Sequence, residues 1–200
     1  MKNIKLIALA FSIVFATACK DNKKKSEMTD TDMEETEMEG TSDQMDNMEM
    51  DKELTFSLSP KSESSVTGQV MFKQNGDDVT MTANMSGLSE GTHAIHIHEK
   101  ADCSSADGTS AGGHWNPTGQ PHGEWGDEGG YHKGDIGNFE VGNDGKGMVQ
   151  MTTDQWCIGC GDDSKDIMGK AIIVHEGTDD FTSQPSGAAG SRVSCGGIIE

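Results

Sequence analysis

The sequence predicts an all-β domain, an eight-stranded antiparallel Greek-key sandwich or flattened barrel with two long functional loops. Three observations predict it. From residue 53 to residue 200 the apolar residues fall in about eight short runs bounded by Gly, Asn, Asp and Ser, a pattern of strands and turns. None of the four prolines in the chain lies inside one of these runs. Two stretches, residues 99–134 and 176–190, are too long and too polar to be simple turns, and such loops in a compact domain are usually functional.

An export leader precedes the domain. Met1-Lys2-Asn3-Ile4-Lys5 is a cationic start, and Leu6 to Ala16 is an apolar core too short to span a bilayer. Small residues, Ala16-Thr17-Ala18, then stand directly before Cys19. This resembles a bacterial lipoprotein signal (residues 1–18), in which Cys19 is acylated and becomes the mature N-terminus, although Ala16 stands where such signals usually carry leucine. The other reading is an ordinary secretory signal cut near Ala18. Either way the chain is expected outside the cytoplasm, in the first case as a membrane-anchored lipoprotein in the periplasm or on the cell surface.

Residues 19–52 are expected to be a disordered tether. Ser26 to Asp51 holds eleven acids and no Lys or Arg, and it has no aromatic, Val, Leu or Ile residue to offset the entropy of ordering. That run supplies most of the formal net charge of −19, a balance that excludes nucleic acid as an expected partner. It also holds six methionines, Met28, Met33, Met38, Met45, Met48 and Met50. Thioethers are soft ligands, so a Cu(I)-collecting arm is one reading, and a self-repelling spacer is the simpler one.

The expected strands follow in order: Leu54–Leu58, Thr67–Lys73, Val79–Met85, Thr92–His98, Asn138–Val141, Met148–Thr152, Lys170–His175 and Val193–Ile199. Asn75-Gly76 and Asn143-Asp144-Gly145 read as hairpin turns after the second and the fifth.

Chemistry concentrates between Gly91 and Asp135, where six of the seven histidines lie. His96 and His98 are two apart on a strand and project from one face, whereas His93 points to the other. Paired imidazoles suit copper or zinc. His114, His122, His132 and Asp135 follow from the loop, and three histidines with one carboxylate make a tetrahedral zinc set. His175 ends the apolar run Ala171–Val174.

Together, His96-Ile97-His98-Glu99, Gly113-His114-Trp115-Asn116-Pro117, His122-Gly123, His132-Lys133-Gly134-Asp135-Ile136-Gly137-Asn138, Val174-His175-Glu176, Asp179-Asp180 and Gly190-Ser191-Arg192-Val193-Ser194-Cys195-Gly196 closely resemble copper/zinc superoxide dismutase. The resemblance covers the whole domain in order. It implies one copper per subunit on His96, His98, His114 and His175, and one zinc on His114, His122, His132 and Asp135, with His114 bridging. It implies Asp179 hydrogen-bonded to ligands of both metals and His93 beside the copper site. His114 and Arg192 would be the catalytic residues, Arg192 drawing in superoxide, the implied substrate. Arg192 is also the one arginine in the chain. A Cys103–Cys195 disulfide is implied too, with the Cys103 carbonyl helping to fix the arginine. Pairing of Cys103 with Cys157 or Cys160 is the alternative.

Other features depart from that pattern. Cys157-Ile158-Gly159-Cys160 lies outside it and is read as a local disulfide, in keeping with an oxidising compartment. Loop 176–190 has no lysine where many relatives place steering lysines, so only Lys100, Lys133 or Lys170 could take that role. Ala188 stands where the family often has asparagine. A homodimer and a monomer both remain open. The competing function is a non-enzymatic copper-binding and delivery lipoprotein, which would be expected to have lost ligands or the arginine.

Overall fold

A computed structural model describes residues 51–200; the leader, Cys19 and the acidic segment up to Met50 lie outside the described residues. Eight strands form: β1 (Lys52–Pro60), β2 (Thr67–Asn75), β3 (Asp78–Ser86), β4 (Gly91–His98), β5 (Gly137–Val141), β6 (Lys146–Thr153), β7 (Ala171–His175) and β8 (Arg192–Gly197). Each expected strand is present. Most run on past their apolar residues, because backbone pairing continues wherever a neighbour offers partners. One 3-10 turn, Thr109–Ala111, is the only helical element among the described residues.

All pairings are antiparallel, in the order β5-β4-β7-β8-β1-β2-β3-β6. The non-sequential pairs β3·β6 and β4·β7 make the arrangement a Greek key. The Asn75-Gly76 turn closes the β2–β3 hairpin as expected, with Gly76 at a φ of 59°. The Asn143-Asp144-Gly145 turn behaves differently. It joins β5 to β6, but these strands ladder with β4 and β3 and are the two edges of the sheet. Gly147 lets those edges meet, since a Cβ there would lie 2.5 Å from the Phe139 ring. The result is a nearly closed barrel.

Alternation fills the interior. Val70 and Phe72 of β2, Met81 and Ala83 of β3, Ile95 and Ile97 of β4, and Ile172 and Val174 of β7 are buried there with Trp156. Strand β7 is buried at every position because its other face is covered as well. There Ala171 and Ile173 pack with Ala111 and Cys195, beside the Cys103–Cys195 disulfide. His96 and His98 sit opposite Ile173 and Ala171 across the β4–β7 ladder, so they share this outer wall.

A bulge completes the wall. The β7–β8 register shifts between Val174 and His175, so His175 faces Arg192 instead of Val193. A one-residue slip moves a side chain to the other face of a strand. Here it turns Arg192 outward beside His175 and leaves Val193 to the core. Function is therefore built on the outside of the barrel, under the two long loops.

Candidate metal centre

The long loop is stitched onto β4 by short backbone contacts. Trp115 N donates to Ile97 O at 2.8 Å, Ile97 N to Gly134 O at 2.9 Å, and Gly134 N to Trp115 O at 3.0 Å. His114 thereby sits in a bridge position opposite His98, and His132 and Asp135 flank the same junction. Gly134 must be glycine, because a Cβ there would fall 2.2 Å from Ile97 O.

Two ligand sets result: His96, His98, His114 and His175, then His114, His122, His132 and Asp135. All are buried, and within each set the donor atoms lie within 4.8 Å of one another. His114 belongs to both.

Hydrogen bonds fix which nitrogen of each ring is free. His98 Nδ1–H donates to Gly112 O at 2.9 Å and His175 Nδ1–H to Gly190 O at 3.4 Å. Carbonyls only accept, so both Nε2 atoms are bare, and they face each other at 3.4 Å. Asp179 takes two rings at once, His96 Nε2–H at 2.8 Å and His122 Nε2–H at 2.9 Å. That leaves His96 Nδ1 and His114 Nε2 without a partner, and His122 Nδ1 and His132 Nδ1 with only the Asp135 carboxylate beside them. Buried polar atoms are almost always satisfied, and two bare nitrogens beside two that share one carboxylate fit a site for cations. Asp135 draws the second set together, with Oδ1 2.8 Å from His114 Nδ1 and 3.2 Å from His132 Nδ1, and Oδ2 3.0 Å from His122 Nδ1. Four imidazoles suit copper, and three imidazoles with a carboxylate suit zinc. The residues fit both.

Burial sets the charge states. It pushes His98 and His175 well below the ordinary imidazole range, with neighbouring imidazoles adding to the shift. It also lowers His96, and His114 to about 4, against partial opposition from Asp179 and Asp135 respectively. Burial would lower His122 too, but its hydrogen bonds to Asp135 and Asp179 prevail and raise it to about 9. For Asp135 burial acts upward, yet hydrogen bonds from His114, His122 and His132 hold it far below the usual carboxylate range. Asp179 is likewise held low, against burial, by His122 and His96.

Other expected residues fall around this centre. His93 Nδ1–H donates to the His175 carbonyl at 3.1 Å, so it braces a ligand from behind the strand. Arg192 lies at a cavity of about 390 Å³ with His98, His114, His175 and Glu99. Its guanidinium donates to Gly108 O and Gly112 O, each at 2.8 Å. The Cys103 carbonyl does not fix it, contrary to what the resemblance implied. Lys61 Nζ takes that carbonyl, because the long 104–113 loop brings Gly108 against Arg192 instead. Disulfides join Cys103 to Cys195 and Cys157 to Cys160. None of Lys100, Lys133 and Lys170 lines the cavity; Lys133 is held by Gln155 and Lys170 lies over the Trp115 ring.

Three supporting residues escape sequence reasoning. Asn138 clips the backbone of Asp179, its Nδ2 and Oδ1 each 2.8 Å from the Asp179 O and N. Gln184 does the same for His122 at 2.8 and 2.9 Å. Gly187, at a φ of 66°, lies where a Cβ would collide with the Asp179 carboxylate at 1.7 Å. An amide or a glycine in a polar loop gives no local signal of such a task. Ala188 follows at a φ of 51°, a left-handed conformation that asparagine tolerates better than alanine.

The shifts predict how the metal-free domain responds to pH. His96, His98, His114 and His175 have folded pKa values below the unfolded value of about 6.5. Their contribution to stability is full above that pH and is lost progressively as pH falls below it, for His114 on the way to about 4. Asp135 and Asp179 lose theirs only below about 4. His122 acts in the opposite sense, full below about 6.5 and lost as pH rises through about 9. Thermal unfolding of the metal-free chain should peak near pH 6.5 to 7 and fall by about 10 °C on going to pH 5. A midpoint that rises into acid contradicts the assignment.

Comparison with known proteins agrees with this geometry. The family model for copper/zinc superoxide dismutase matches residues 66–198. Among solved structures, the chain is similar to three forms of a SOD-like protein from Bacillus subtilis. A double histidine variant of it is 34% identical over 73% of this chain and 97% of that one, with a TM-score of 0.65. A single histidine variant is 33% identical with the same coverage and TM-score. The form without those changes is 33% identical over 72% and 97%, with a TM-score of 0.63. The chain belongs to the copper/zinc superoxide dismutase family.

Proposed function

We propose that this chain is a superoxide dismutase, converting two superoxide ions and two protons to dioxygen and hydrogen peroxide outside the cytoplasm. One observation carries the proposal: two complete buried ligand sets share His114 beside a cavity that holds Arg192. His96, His98, His114 and His175 would hold copper, and His114, His122, His132 and Asp135 would hold zinc. Copper in the first set supplies reversible one-electron exchange, and zinc in the second fixes His114.

The residues of the chain do the rest. Arg192 keeps its charge although burial lowers its pKa, and two carbonyls hold its fork at the cavity. It binds and orients the anion. No lysine stands among the residues lining that cavity, so Arg192 is its only fixed cation, with Glu99 opposing it. His114 Nε2 has no partner in the protein and is the atom at which a proton can be held and passed to the reduced oxygen species. The His96–Asp179–His122 bridge keeps a ligand of each set in a fixed orientation.

The full chain loaded with copper and zinc should consume superoxide, and Arg192→Ala should lower the rate by about 10- to 100-fold without releasing copper. A wild-type chain that holds copper tightly and leaves superoxide untouched overturns the enzyme reading in favour of copper storage or delivery.

The proposal includes export and anchoring through an acylated Cys19, with residues 20–52 as the tether, on the strength of the leader pattern. When the full-length chain is expressed in a bacterial host, it should partition with membranes, and Cys19→Ser should release it to the soluble fraction. Equal partitioning of the two forms removes the anchor.

A further inference from the structure

We infer that the β6–β7 connection, at Gln155 and Trp156, positions the zinc loop and governs how long zinc is retained. The inference rests on reading the second ligand set as the zinc site. Both chain neighbours of His132 are gripped by side chains of a single segment from another part of the barrel. Before it, the Tyr131 hydroxyl accepts from Gln155 Nε2 at 2.7 Å. After it, Lys133 Nζ donates to Gln155 Oε1 at 2.6 Å, and the Lys133 carbonyl accepts from the Trp156 indole N–H at 2.9 Å. One amide and one indole thus close on the residues either side of a ligand.

The grip is anchored at its far end. Trp156 is almost fully buried, edge-on to Phe72 of β2 at 6.1 Å and to Trp125 of the zinc loop at 5.4 Å. It pins loop to barrel. Immediately after it, the Cys157–Cys160 disulfide closes the backbone, and the Asp166 carboxylate accepts from Gly159 N, Gly161 N and Met168 N at 2.9 to 3.0 Å. Ile158 N donates to Gln74 Oε1 and Lys52 Nζ to Ile158 O, each at 2.8 Å, which ties the segment to β2 and β1. Such a fixed support limits the excursions of His132 away from Asp135. Outer supports of metal ligands characteristically change metal affinity by one to two orders of magnitude.

The test measures the release of zinc and of copper from the full loaded chain to a chelator. Gln155→Leu, which removes both polar contacts, and Trp156→Phe, which keeps an aromatic ring there and removes the indole N–H, should each release zinc about tenfold faster. Copper release should stay at the wild-type rate. Gln155→Glu loses the Nε2 donor, but its carboxylate accepts from Lys133 and from the Tyr131 hydroxyl, which lies 3.1 Å from Gln155 Oε1, so it should restore slow zinc release. Should Gln155→Leu fail to fold, Trp156→Phe alone decides. Variants that release zinc at the wild-type rate, or that lose both metals in parallel, overturn the inference while the zinc-site reading stands. A wild-type chain that takes up no zinc at the second set overturns both.

Discussion

Everything at this centre depends on burying six imidazoles side by side while keeping the four of the first set, His96, His98, His114 and His175, uncharged. The His96 and His114 ring centroids are 4.0 Å apart, and those of His98 and His114 are 5.0 Å apart. At such spacing, among side chains this buried, protonated rings would repel one another strongly. The fold meets the constraint by giving each ring of the first set one fixed acceptor and leaving its other nitrogen bare. Gly112 and Gly190 carbonyls serve His98 and His175, and Asp179 serves His96 and His122. What remains is a set of inward lone pairs that only cations satisfy. The metal-free fold is thus a preorganised cage.

The barrel explains why the cage holds its shape. The imidazoles of β4 stand on an outer wall whose inner face is the main core, so they cannot move without disturbing Ile95, Ile97 and Ile172. The wall is roofed by two loops, and each loop is tied back. One is stitched to β4 through Trp115 and Gly134 and held to β8 by the Cys103–Cys195 bridge. The other is fixed by Asn138 on Asp179 and by Gln184 on His122. Closing a loop of this length by a disulfide stabilises by on the order of 4 kcal/mol in the chain-entropy account. The same bridge secures the segment whose carbonyls aim Arg192, so stability and reactivity are coupled there.

The strands were legible because alternation and turn residues are local signals, and the histidines because their chemistry is rare. Three loop histidines and Asp135 read as a zinc set from residue type alone, but the sharing of His114 and the place of His175 came through the family resemblance, since loop spacing does not say which ligand serves as a bridge. Less legible were the features that arise only when distant backbone segments meet. The bulge that turns Arg192 outward is one, and the collision that forbids a side chain at Gly187 is another. The carbonyls on Arg192 belong to Gly108 and Gly112 because of the length of a loop, which sequence similarity carries poorly. Gln155 and Trp156 carry no local signal of their task, since their bonds to Tyr131 and Lys133 span more than twenty residues.

The central claim is that one imidazole, His114, belongs to both sites. Loading the full chain with Cu(II) in both ligand sets and recording the electron paramagnetic resonance spectrum tests it directly. A shared imidazolate couples the two unpaired spins, so the account predicts loss of most of the isolated-copper signal at low temperature. Two undiminished, additive copper signals would contradict it.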